Sequence, residues 1–136
     1  MEAESALDGG VAAGGVGLDP DVLHRELAAF TGTTTYYRHT SGMLFTEGVH
    51  HLAQRAKAYW LVDLIVSWQP TALRDPWLRE FQLWELSVRE DRSAVVICFR
   101  DSEDEAFRQE IAATDFPLNY VRLYVEGGVM LLPSEH

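Results

Sequence analysis

The sequence predicts an α+β domain with N-terminal helices packed on one face of a four- or five-stranded antiparallel sheet. Three observations predict it. Apolar residues recur at helical spacing as far as Trp68, and they alternate with polar ones from Phe81 onward. Gly127-Gly128 then joins two alternating segments, as a two-residue hairpin turn does. A chain of 136 residues suffices for one domain with a core, and 47% apolar with 24% charged residues is the composition of a folded chain.

Residues 1–18 hold five glycines, four alanines, three carboxylates and no aromatic residue. They bury too little to offset ordering entropy, so a disordered acidic Gly/Ala-rich tail is expected ahead of a single domain at 19–136. Asp19-Pro20 reads as an N-cap followed by proline at the first helical position, with Leu23, Leu27 and Phe30 along one side of a helix over 20–30. Tyr36-Tyr37-Arg38-His39 and Met43-Leu44-Phe45 flank Thr40-Ser41-Gly42 as a short hairpin. Thr46 caps the next helical segment, which runs to Trp68 before Gln69-Pro70. Its apolar stripe changes face near residue 60. Either the helix breaks at Lys57-Ala58, or its second half is surrounded and Asp63 needs a buried partner.

Beyond a link containing Pro70 and Pro76, Phe81–Val88 alternates as a half-buried strand and Ala94–Phe99 is apolar throughout. Glu90–Ser93 turns between them, and 101–105 forms the next loop. Residues 106–113 fit a strand and a helix equally. Val121, Leu123 and Val125 alternate up to Gly127-Gly128, and Val129–Leu132 returns.

The composition excludes several functions. A net charge of −10 opposes direct binding of duplex nucleic acid, whose affinity rests on Lys and Arg. One cysteine, Cys98, supplies neither a disulfide nor a thiolate zinc cage, and it lies in an apolar run that keeps a thiol inert. With no basic leader and no apolar run of about 18 residues, a cytoplasmic protein without a membrane segment is expected. No phosphate-cradling glycine loop or nucleophile motif occurs, so no cofactor is expected. The 101–105 run lacks the glycine and terminal glutamate of a calcium loop.

Two clusters carry possible chemistry. Asp63, on an apolar helix segment, with His39 or Arg38 is the best acid–base pair available, and Tyr37 and Trp60 would wall a small-molecule pocket beside it. The plainer role for Asp63 is to fix a loop through hydrogen bonds. Glu47, His50 and His51 stand at i, i+3 and i+4, a spacing compatible with metal ligation, although no second motif completes a site. Solvated polar residues in a first helical turn explain them more simply.

The segments Leu27–Thr33, Tyr36–His39, Phe45–Val49, Ala58–Asp63, Thr114–Leu118 and Leu131–Glu135 occur in an order that is similar to an uncharacterised bacterial domain family. The resemblance spans about residues 23–136, with Glu47 where that family usually has Asp. Its members are small stand-alone proteins, often of plasmids, phages or cyanobacterial genomes, which implies a mobile-element accessory setting, and the family has no established catalytic residues to carry over. Charge and resemblance together lead to one expected function, a small acidic accessory protein that binds another protein, one with a basic surface. A mobile-element regulator or an anti-defence inhibitor of anti-CRISPR or DNA-mimic type is its sharper form. The expected contacts are Tyr36, Tyr37, Arg38 and Trp60 with the acidic Asp101, Glu103, Asp104 and Glu105. An enzyme built around Tyr37, His39, Trp60 and Asp63 is the alternative.

Overall fold

A computed structural model of the chain describes residues 18–136; the tail expected over 1–18 lies outside them apart from Leu18. Asp19 caps α1 (Pro20–Ala28) by accepting from the Asp21 amide, and Leu23 and Leu27 turn inward. A hairpin follows, β1 (Tyr36–Arg38) and β2 (Leu44–Thr46), closed by Gly42 at φ +98°. Thr46 ends β2 and caps α2 (Glu47–Arg55), its hydroxyl accepting from the Val49 amide.

The long helical segment is broken. Lys57 takes φ +53° and α3 (Tyr59–Ser67) starts afresh, so Val49, Leu52 and Ala53 of one helix and Leu61, Leu64 and Ile65 of the next all face the core. The break resolves the change of stripe, and it leaves Asp63 on the solvent side of α3. The proline link is not a loop. It folds into α4 (Gln69–Ala72) and α5 (Pro76–Glu80), the latter capped by Asp75, with each proline in a first turn where a missing N–H costs nothing.

The second half forms β3 (Phe81–Val88), β4 (Ala94–Phe99), β5 (Glu105–Ile111), β6 (Tyr120–Glu126) and β7 (Val129–Leu131), so the ambiguous 106–113 segment is largely strand. Gly127 and Gly128, at φ +59° and +81°, make the turn between β6 and β7. The sheet has seven strands in the order β1-β2-β7-β6-β3-β4-β5. Four or five antiparallel strands were expected; the difference is the N-terminal hairpin, which joins the sheet because β2 pairs parallel with β7. That pairing is between segments more than eighty residues apart, beyond the reach of local pattern. α+β is the class, and the sheet is mixed.

The core lies between helices and sheet, where Val49, Leu52, Leu61 and Ile65 meet Trp84, Leu86, Leu123 and Met130. Cys98 is fully buried there. The two edges are β1 and β5. At about 4.8 Å per strand they lie roughly 29 Å apart.

Candidate functional site

The hairpin turn and α3 meet at His39. Its Nε2 lies 2.7 Å from Asp63 Oδ1, and its Nδ1 lies 2.9 Å from Ser41 Oγ and accepts the Ser41 amide at 3.0 Å. Because Nδ1 accepts a backbone N–H, this network assigns the ring proton to Nε2, which donates to the carboxylate. The result is a Ser41–His39–Asp63 chain. The amides that would serve an oxyanion near Ser41 are engaged: Ser41 with His39 Nδ1, Gly42 with the His39 carbonyl, and Met43 with Ser41 Oγ. Asp63, expected as a buried carboxylate, is 66% exposed. The chain therefore ties the β1–β2 turn to α3, and both imidazole nitrogens are occupied in doing so.

Tyr37 and Trp60, expected to wall one pocket, enter separate ring clusters. Tyr37 stacks on His50 at 3.9 Å and 8° and also on Phe45, whereas Trp60 meets Phe116 edge-on. That Tyr37 stack takes up one metal candidate, and burial, with the His51 charge second, pulls the His50 pKa below its ordinary value. His51 Nε2 sits 2.8 Å from Glu26, whose carboxyl is held below its usual range by hydrogen bonds from His51 and then Arg55. Glu47, His50 and His51 do not converge, and among the described residues no three His, Cys, Asp or Glu side chains form a metal-sized group. Burial pushes the Cys98 thiol up to about 12.

The expected contact residues divide between the sheet edges. Tyr36, Tyr37 and Arg38 are β1, while Asp101, Glu103, Asp104 and Glu105 surround the β4–β5 turn at the opposite edge. They cannot form one compact surface. At the β5 edge the acidic loop meets instead a ridge that local pattern did not reveal. Trp77 of α5 is 76% exposed and Leu73, following α4, is 46% exposed. Asp75, between them, accepts from Arg100 Nε at 2.7 Å, and Arg100 Nη1 reaches Asp104 at 3.0 Å, which fastens loop to ridge. Arg100 holds the Asp75 carboxyl below its usual range. A cleft of about 550 Å³ opens beside this chain, lined by Arg74, Trp77, Arg100, Ala106 and Phe107. A second cleft, of about 530 Å³, has Leu73 in its wall.

A half-buried carboxylate also escaped the sequence reading. Glu135, in the last turn Pro133–Glu135, accepts from Thr46 Oγ1 at 2.6 Å, Thr33 Oγ1 at 2.8 Å, the Leu132 amide at 2.9 Å and the Gly48 amide at 3.3 Å. Three of the ordered blocks, around Thr33, Gly48 and Glu135, thus meet at the N-terminus of α2. The signal available was Gly48: a first-turn glycine in a good helix marks a close approach. A Cβ there would lie 2.6 Å from Glu135 Oε1.

The ordered blocks also decide kinship. The chain belongs to the family of unknown function DUF6876. Its family profile matches residues 21–136, nearly the whole of the described domain. No curated protein and no solved structure gives a significant match.

Proposed function

We propose that this domain acts by binding another protein, docking it on the Trp77 ridge and the adjoining acidic loop. One observation carries the reading: an indole left 76% exposed beside a half-exposed leucine serves no folding purpose. Trp and Arg are the residues that anchor interfaces, and about 150 Å² of ring burial at roughly 25 cal/mol per Å² is worth up to about 4 kcal/mol. Asp101 and Glu103, exposed at the rim, favour a partner with a basic surface, and the net charge of −10 steers its approach.

The duplex-mimic form is the weaker version. Carboxylates at 75, 85, 104, 105 and 110 each face an arginine, which breaks up the acidic array a mimic needs. A regulator within a mobile element is the setting that the resemblance carried by the ordered blocks favours. No helix among the described residues is long and apolar enough to cross a membrane. The 2.7 Å His39–Asp63 contact favours a second reading, a small-molecule enzyme with His39 as base, in which a substrate has to displace Ser41 from Nδ1.

The test places a photo-crosslinking benzoylphenylalanine at position 77 or, as control, at position 36 on the far edge, with irradiation in host cells. Expected is one protein captured from position 77 and not from 36, and lost when Asp101 and Glu103 are changed to Asn and Gln. Equal capture from both positions, or none from 77, overturns the proposal.

A further inference from the structure

We infer that the second cleft is a binding site for a small monocarboxylate with an apolar body. Its volume of about 530 Å³ is that of a site for a drug-sized ligand. Val66, Pro70, Leu73 and Val125 supply an apolar wall, with Met43 beside them. Gln82 and Val125 are buried and form the floor; Arg79, Ser41 and Ser67 are exposed and form the rim.

The floor offers a ligand no hydrogen bond to Gln82. That amide is fully buried, yet its oxygen accepts from Trp84 Nε1 and Gln69 Nε2, and its nitrogen donates to Gln69 Oε1 and the Leu78 carbonyl. With all four bonds made, it behaves toward a ligand as an apolar surface. An apolar body fits there and a polar one does not.

Arg79 supplies the charge. Its Nε donates to the Leu73 carbonyl at 2.8 Å, which orients the guanidinium, while its two terminal nitrogens make no hydrogen bond among the described residues. A planar pair of free donors matches a carboxylate bidentately. One guanidinium in a chain of charge −10 suits a monoanion better than a phosphate dianion. Ser41, held by His39, and Ser67, whose hydroxyl donates to the Leu64 carbonyl, stand at the same rim and leave the charge recognition to Arg79. The inference does not depend on the docking proposal, which rests on Trp77 and the acidic loop and shares only Leu73 with this cleft.

The test titrates the ¹⁵N-labelled chain with octanoate and, separately, with uncharged octanamide. Octanoate is expected to give saturable shifts at the Leu73, Val125 and Gly128 amides and at the Trp84 indole N–H, which reads the floor directly. R79Q should weaken octanoate about tenfold or more and leave octanamide unchanged, with R79K between the two. S67W, at an exposed rim position, should block both ligands and keeps the test decisive if R79Q misfolds. Absence of saturable shifts, shifts confined to Arg74 and Trp77, or undiminished octanoate binding by R79Q overturns the inference.

Discussion

Gly48→Ala is expected to destabilise the domain, against the rule for a glycine in a helix. Elsewhere in α2 such a change would stabilise by about 0.5–1 kcal/mol, because alanine loses less backbone entropy on folding. Here the new methyl falls 2.6 Å from Glu135 Oε1 and 2.7 Å from Leu132 Cδ1, closer than carbon atoms tolerate. The carboxylate has to turn away. It accepts four hydrogen bonds, and losing two at about 1.5 kcal/mol each costs about 3 kcal/mol. Set against the helix gain, the net loss is about 2 kcal/mol. With a urea m-value near 2 kcal/mol/M, the unfolding midpoint should fall by roughly 1 M at unchanged m. The cycle with Glu135→Ala isolates the cause: once the carboxylate is gone, most of the penalty at position 48 should vanish. A Gly48→Ala midpoint within about 0.2 M of the parent, or full additivity in the cycle, refutes the clash.

Trp77→Ala should leave the unfolding free energy within about 0.5 kcal/mol of the parent, since the ring is exposed, while abolishing co-purification of the protein captured from position 77; a large loss of stability would show the ring to be structural. His50 is held neutral by burial, so the unfolded chain binds its proton first: stability should decline as pH falls through about 6.5 and level off below the folded pKa, a step that His50→Gln removes from pH-dependent urea melts. Glu26, lowered in the folded state, contributes stability that is lost as pH falls below its ordinary value, and Glu26→Gln should flatten that acid limb. Cys98, buried with its thiol pushed up to about 12, should react with a thiol reagent only at the rate of global unfolding, and fast labelling of the native chain would contradict its place in the core.

Fold and site were legible in the sequence to different depths. The Asp19 and Thr46 caps, the Gly127-Gly128 turn and the alternation of β3 and β6 are short-range features, set by one residue's φ or by spacing along one element. The stripe change near residue 60 left two outcomes open, and only packing chose the break at Lys57, which carried Asp63 out to solvent within reach of His39. The proline link hid α4 and α5 because four- and five-residue helices have no period to detect.

By itself the sequence determined the class, the order of most elements, the inert environment of Cys98 and the acidity that disfavours duplex binding. Tertiary structure alone decided that β2 would pair with β7, that Glu135 would close over Gly48, that the acidic loop would meet Trp77 rather than Tyr36, and that Arg79 would stand over an apolar cleft. The physical reason is range. Capping, turn and alternation energies act between residues a few positions apart, whereas these contacts join distant segments that come together only when burial of the common core brings the helices onto the sheet.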